Sequence, residues 1–174
     1  MFSLLNSSNS DDFITKSEIL YSIQAIEGII QTGIFATEQS NNPFVKPAVV
    51  YVLIHLSNLM RKSEEIANRR IDFTDDIDKL NRSKRKIKDV THLIIDVRNA
   101  VCHPESHLHF LDKHIKFTFN ILYGKGTLAE IDDIVFKSDY DDDVCFFFGE
   151  IKVYLKRHII RAFQKAKENL RPYL

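Results

Sequence analysis

The residues best suited to chemistry form a short cluster at the predicted end of a helix: Arg98, Asn99 and His103, with Pro104 directly after them. Arginine supplies a permanent cation, histidine a base that titrates near neutral pH, and asparagine an amide. On a continuous helix, Arg98 and His103 would point about 140° apart. Because a residue before proline is pushed out of helical geometry, we expect His103 to leave the helix and turn back beside Arg98.

This set of side chains suits the cleavage of RNA without a metal ion. The imidazole can take the proton of a ribose 2′-hydroxyl or protonate the leaving 5′-oxygen, and the guanidinium can neutralise charge on the phosphate. One histidine supplies only one of the two proton transfers, so a symmetric dimer would supply both. The alternative is structural: Arg98 pairs with an acid such as Asp96, and His103 caps the helix, where its charge favours the helix dipole.

The cluster is positioned by a strongly periodic helix. Apolar residues over 87–101 recur at spacings of three and four, which predicts one buried helical face leading into the cluster. Two amphipathic helices are predicted before it, over 14–35 and 47–68. The second is apolar nearly all round, so we expect it to be the buried central helix. Residues 1–10 are polar and predict a flexible arm.

Beyond the cluster the sequence pattern changes from helix to strand. Residues 116–123 alternate between apolar and polar side chains, which predicts a half-buried strand, and further strands are predicted at 134–136 and 144–148. The last element, over about 151–170, has one apolar and one basic face and is predicted to be a helix. Four of its side chains are candidates for binding RNA: Lys156, Arg157, His158 and Arg161.

Three other groups of side chains could serve a site or only the fold. His55 lies on an apolar helix face and is interpreted as a core residue with a hydrogen-bond partner. His107, His109 and His114 are of a ligand type, but no spaced cysteines or acids accompany them, and 107 and 109 would share one strand face. Acids over 139–150 have the spacing of a calcium-binding loop. Valine replaces the glycine of its sharp turn, so we interpret them as an acidic turn between strands and expect no metal site.

Two further segments each have two interpretations. The basic run 82–88 is either the solvated first half of a helix or a face that attracts RNA phosphates. The three phenylalanines at 146–148 are either core residues or a surface for a dimer or a protein partner.

Composition limits the classes of function. The 174 residues suffice for one domain with a sizeable core, and 24 basic residues balance 24 acidic ones. Nucleic-acid binding would therefore need a local basic face. The two cysteines predict free thiols in a reducing compartment, and no apolar run reaches membrane-spanning length. With no signal peptide recognisable, we expect a cytoplasmic protein that does not contact membranes.

The motif Arg98-Asn99-x-x-x-His103, at the end of a long helix in a small and mostly helical chain, resembles the signature of the HEPN superfamily (higher eukaryotes and prokaryotes nucleotide-binding). The resemblance covers residues 14–104 and the final helix. Together with the helical patterns, it implies a mainly α fold, a HEPN-like bundle of four to five helices. The expected single domain over 1–174 carries a small β-hairpin or three-stranded insert at 116–148, before the last helix.

The resemblance also implies an activity. Many members of the superfamily are homodimers and metal-independent endoribonucleases, which need no cofactor and act as toxins or as effectors in phage defence and stress. On that resemblance Arg98 and His103 are catalytic, Asn99 is their polar helper, RNA is the substrate, and a cognate antitoxin is one candidate partner. Other members are inactive and bind nucleotides or proteins, so the alternative is a non-catalytic interaction module.

Overall fold

The chain contains four α-helices within the residues that a computed structural model describes: 7–77, 86–103, 105–111, 115–132 and 134–174, with side chains from Asp12 onward. These helices are α1 (Ser7–Gln31), α2 (Val45–Ala67), α3 (Val90–Cys102) and α4 (Arg161–Leu170). A π-helical turn, Leu155–Ile160, leads directly into α4. Helices α1, α3 and α4 each pack against α2.

Helix α2 is the central helix, and this prediction is confirmed. Neighbouring helices cover it on several sides, so apolar residues around much of its circumference leave water. The buried apolar side chains are Val45, Ala48, Val49, Val52, Leu53, Leu56, Leu59 and Met60.

Five strands form two antiparallel sheets in the described part of the chain. They are β1 (Phe119–Tyr123), β2 (Gly126–Ile131), β3 (Ile134–Ser138), β4 (Val144–Phe148) and β5 (Ile151–Tyr154). Strand β4 lies in the middle of a three-stranded sheet with the order β1-β4-β5, and β2 pairs with β3 in a separate hairpin.

All residues of β4 are buried, because both faces of this strand are covered. Phe146 and Phe148 belong to the main core, which the helices share, whereas Cys145 and Phe147 belong to a second core that includes Phe136 of the hairpin. The three phenylalanines at 146–148 are therefore core residues. The alternative that they form a docking surface is wrong.

The prediction of a mainly α bundle is wrong. Helices make up 54% of the chain and strands 18%, so the fold is mixed α/β, and the three-stranded sheet contributes to the main core. The error arose partly at β5, which was predicted to begin the last helix. Ile151, Leu155 and Ile159 have helical spacing, but Ile151 and Val153 also alternate along a strand, and pairing with β4 decides between the two.

Two helix boundaries also differ from the predicted ones. Helix α1 begins at Ser7, inside the segment predicted as a flexible arm, of which residues 1–6 lie outside the described ranges. Helix α3 begins at Val90, because the Asp89 side chain accepts a hydrogen bond of 2.8 Å from the His92 backbone N–H and caps the helix there. The described part of the basic run, 86–88, is not helical, and 82–85 lie outside the described residues.

Candidate functional site

Helix α3 carries Arg98 and Asn99 at the border between core and solvent. Its core face, which includes Val97 and Ala100, is fully buried against α2 and the three-stranded sheet. Arg98 and Asn99 follow Val97 around the helix and are half-buried. The apolar periodicity of α3 therefore determines how far these two polar side chains extend from the core.

His103 lies just beyond the last residue of α3 and has left the helix, as the sequence predicts. Its backbone is extended, with φ −125° and ψ 96°, and its N–H donates to the carbonyl oxygens of Asn99 (3.1 Å) and Ala100 (3.2 Å). The imidazole is exposed to solvent. Pro104, which motivated the prediction, lies outside the described residues.

The Arg98 guanidinium is held by an amide. Its Nη1 donates a hydrogen bond of 2.9 Å to Oδ1 of Asn99. Its Nε is buried and makes no hydrogen bond with any described residue, and no described carboxylate lies within ion-pair distance of the group. Asn99 thus orients the guanidinium but leaves its positive charge uncompensated at this contact.

The structure brings Arg98 and Asn99 into side-chain contact and places His103 one helical turn away along the backbone. No hydrogen bond joins the Arg98 and His103 side chains in the described part of the chain. The three residues are referred to below as the α3 cluster. In the turn Asn99–His103, backbone hydrogen bonds join the His103 N–H to the Asn99 and Ala100 carbonyl oxygens, whereas no side-chain hydrogen bond of His103 with Arg98 or Asn99 is present among the described residues.

A residue that sequence reasoning assigned no role at the cluster, His109, holds this turn. Its Nε2 lies 2.7 Å from the carbonyl oxygen of Ala100, the same oxygen that accepts from the His103 N–H. The ring is buried, and the residue belongs to a short 3₁₀ turn, His107–His109, although the spacing of 107 and 109 suited one face of a strand. The last carbonyls of a helix need donors from outside the helix, so the sequence could have predicted a donor near Ala100. This rule does not say which side chain provides it.

Hydrogen bonds to the three-stranded sheet fix the position of the 3₁₀ turn. The Phe117 N–H donates to the His109 carbonyl at 2.7 Å, and Gly149 donates to the Phe117 carbonyl at 2.6 Å. Gly149 has φ +56°, and a side chain at this position would collide with the Leu108 carbonyl. Only glycine therefore allows the β4–β5 turn and the segment that carries His109 to approach this closely.

The candidate RNA-binding residues of the last helix are mostly engaged within the chain. Arg157 pairs with Asp142 and Asp143 (both 3.0 Å), and its guanidinium carbon lies 3.6 Å from the ring centroid of Tyr140. Arg161 pairs with Asp75 at 2.9 Å.

The other two candidates of this helix differ sharply in exposure. Lys156 is exposed, whereas His158 is fully buried and accepts a hydrogen bond of 3.1 Å at Nδ1 from the Tyr154 N–H. Burial lowers the pKa of His158 to about 4, so its ring is neutral at pH 7.

Asp143 explains why the last helix begins where it does. It is buried, and its carboxylate accepts backbone hydrogen bonds from Val144 (2.8 Å), Lys156 (2.8 Å) and Arg157 (3.1 Å). A negative group at the first turn of a helix is favourable because it satisfies N–H groups that have no partner within the helix. Asp143, Arg157 and His158, with Asp142, are referred to below as the α4 corner.

The acids around Asp143 form a turn between β3 and β4, and this interpretation is confirmed. Asp139 pairs with Lys152 at 3.1 Å and with Lys137 at 3.3 Å, so this carboxylate is also used within the fold. In the described ranges, no three histidine, cysteine, aspartate or glutamate side chains are grouped closely enough to hold a metal ion. His107 is exposed, and His114 lies outside the described residues.

His55 is a buried residue with a partner, as predicted. Its Nδ1 lies 3.1 Å from the Ser22 hydroxyl oxygen, across the interface between α1 and α2.

The two cysteines are free thiols, as predicted, and their environments are opposite. Cys102 is exposed at the end of α3 and Cys145 is buried in β4, where burial raises the pKa of its thiol to about 12.

Comparison with known protein families, with curated proteins and with solved structures finds no match to this chain. Support for a functional role of the α3 cluster therefore comes from its geometry and from the resemblance of its motif to the HEPN signature. None of the helices in the described ranges combines the length and apolar character that crossing a membrane requires.

Proposed function

We propose that the protein is a metal-independent endoribonuclease of the HEPN type, with Arg98 and His103 as its catalytic residues. The observation that carries the proposal is the α3 cluster itself. A half-buried guanidinium, oriented by the Asn99 amide and without a described carboxylate partner, lies one helical turn from an exposed imidazole. An RNA phosphate can supply the negative charge that none of the described carboxylates brings to this arginine.

In this mechanism His103 transfers protons and Arg98 stabilises charge. The imidazole takes the proton of the 2′-hydroxyl that attacks the phosphate, or donates a proton to the leaving 5′-oxygen. The guanidinium neutralises the charge that develops on the phosphate oxygens, and Asn99 keeps it in place. Each chain supplies one such histidine, so the proposed enzyme is a homodimer in which two clusters share one RNA strand.

The remaining parts of the proposal follow from the motif resemblance. The enzyme acts in the cytoplasm as a toxin or as a phage-defence or stress effector, and a cognate antitoxin would control it. Lys156 is exposed and is the proposed contact for RNA phosphates, whereas RNA contacts at Arg157 and Arg161 would have to replace their pairs with Asp142 and Asp143 and with Asp75.

The test is RNA cleavage by the purified protein in excess EDTA. We expect the wild type to cleave, Arg98→Ala to lose about 10²–10³-fold and His103→Ala about 10²–10⁴-fold in rate. His107→Ala is the matched control, because His107 is also exposed and lies close in sequence but outside the cluster. An inactive wild type, or normal cleavage by both cluster variants, would refute the catalytic role. A sedimentation run that shows only monomer at micromolar concentration would refute the shared site.

The second candidate is a non-catalytic HEPN-like interaction module that binds a protein or a nucleotide. It is favoured by exposed apolar side chains on α1, where Phe13 (71% exposed) and Leu20 (43%) lie two turns apart on one face. Under this alternative, RNA stays intact and the double variant Phe13→Ser, Leu20→Ser loses self-association in sedimentation while keeping its helical circular dichroism. RNA cleavage that survives EDTA and depends on His103 would refute it.

A further inference from the structure

A pocket between α1 and α2, separate in sequence from the α3 cluster, holds a serine and a histidine in hydrogen-bond contact. The Ser22 Oγ and the His55 Nδ1 are 3.1 Å apart, and the two residues are only 6% and 9% exposed. The pocket has a volume of about 230 Å³. A volume of this size can admit a small organic molecule.

The His55 ring is held in one orientation by two tyrosines. The rings of Tyr21 and Tyr51 meet it edge-on, with centroid distances of 5.4 and 4.5 Å, and the two tyrosine hydroxyls lie 3.1 Å apart. Burial lowers the pKa of His55, so the ring is neutral at pH 7 and can accept a proton. Its hydrogen bond to Ser22 is the one that the ring makes with the described residues.

The wall of the pocket carries a paired lysine and glutamate, an amide and apolar side chains. Lys62 is largely covered, with a side chain 15% exposed, and its ammonium is held 2.8 Å from the Glu18 carboxylate. The Asn58 amide lines the same pocket, and Ile19 and Leu59 supply apolar surface. An amide such as that of Asn58 is a kind of donor that lowers the energy of an oxyanion, whereas the Lys62 charge is already compensated by Glu18.

We propose that Ser22 is a nucleophile with His55 as its general base, and that the pocket accepts small acyl esters. Ser22 Oγ bonds to the carbonyl carbon of the ester while its proton passes to His55 Nδ1. The bond between that carbon and the alcohol oxygen breaks, and the alcohol leaves with the proton from His55. Water then adds to the acyl-serine, His55 takes and returns its proton, and the carboxylic acid leaves with Ser22 restored.

The test uses p-nitrophenyl acetate, with release of p-nitrophenol followed by absorbance and the acetylated residue located by peptide mass spectrometry. We expect an acetyl group on Ser22 of the full chain. Ser22→Ala should abolish this adduct, and His55→Asn, which keeps a hydrogen-bonding side chain but no base, should slow its formation by about 10²–10⁴-fold. Ser17→Ala is the matched control, because Ser17 is an exposed serine of the same helix.

The wild-type adduct map decides the matter even if a variant fails to fold. Acetyl groups on surface lysines with none on Ser22 would overturn the proposal, as would equal acetylation rates of Ser22 in wild type and in a folded His55→Asn. The pocket and the α3 cluster are tested independently. We expect Ser22→Ala to keep RNA cleavage and His103→Ala to keep acetylation of Ser22.

Discussion

The α3 cluster and the α4 corner each contain an arginine and a histidine, and these side chains are in opposite environments. In the α4 corner, Arg157 is bound by two carboxylates and lies on a tyrosine ring, and His158 is buried and neutral. In the α3 cluster, the one partner of the Arg98 side chain among the described residues is an amide, and His103 is open to solvent. Charges compensated within the chain contribute to stability, whereas uncompensated ones remain available to a ligand.

Removing Asp143 should have the largest effect on the α4 corner. Asp143→Ala would leave three backbone N–H groups and the Arg157 guanidinium without their buried carboxylate. We expect the free energy of unfolding to fall by about 3–5 kcal/mol, the usual cost of breaking a buried ion pair. Urea denaturation measures it, with Asp142→Ala as the control, since Asp142 is largely exposed and should matter much less. Equal losses in the two variants would contradict this role for Asp143.

The buried histidine of the α4 corner predicts a pH dependence. The pKa of His158 is about 4 in the folded chain and 6.5 in an unfolded one, so the unfolded chain takes up the proton first as the pH falls. The contribution of His158 to the free energy of unfolding is therefore fully present above about pH 6.5. It is lost as the pH falls towards 4, where it has decreased by about 3 kcal/mol. His158→Asn keeps an acceptor near the Nδ1 position but cannot titrate. Unfolding measured from pH 7 to pH 4 should show a shallower slope for this variant, and identical slopes would contradict the prediction.

The α3 cluster should be sensitive to His109, which never touches the proposed substrate. His109→Ala removes a buried hydrogen bond to the Ala100 carbonyl, so we expect a loss of about 1–3 kcal/mol in stability. Cleavage should fall because the turn that carries His103 loosens, while His107→Ala changes neither quantity. Thermal unfolding and single-turnover RNA cleavage are the two measurements. Unchanged cleavage in a destabilised His109→Ala would show that the turn does not position His103.

The substitution with the smallest expected effect on stability tests the difference between the two groups most directly. Asn99→Asp replaces the amide that holds Arg98 by a carboxylate and so gives the α3 cluster the charge balance of the α4 corner. We expect a change of under about 1 kcal/mol in stability, because the pair is only half-buried. Cleavage should nevertheless fall at least tenfold, since the guanidinium charge is then neutralised before RNA binds. The control is Asn99→Gln, which keeps the amide, and equal cleavage by both variants would contradict the proposed role of the free charge.

The parts of the fold that depend on neighbouring residues in sequence were predictable. The buried helix α2 and the approach of α3 to the cluster follow from apolar spacing, and the departure of His103 from the helix follows from the proline after it. Strand β5 was missed because its four residues fit a helix and a strand equally well until β4 pairs with them.

The sequence did not predict which charged side chains of the last helix form ion pairs within the chain. Arg157 and Asp143 are brought together only when the β3–β4 turn packs against the start of the last helix, and Arg161 meets Asp75 across 86 positions of sequence. The Arg98 partner, by contrast, is its neighbour in sequence. Cations that are paired in the folded chain and cations that are available to a ligand therefore look alike in the sequence. Only the contacts between distant segments distinguish them.

The unequal burial of the two cysteines has a practical consequence for spectroscopy. Cys145 lies inside β4 with its thiol pKa raised to about 12, so alkylating reagents react poorly with it, whereas Cys102 is exposed. A maleimide fluorophore should therefore attach to the unaltered chain at a single position, next to His103. Its emission would report the arrival of RNA or a second protomer at the end of α3, and no engineered label would be needed.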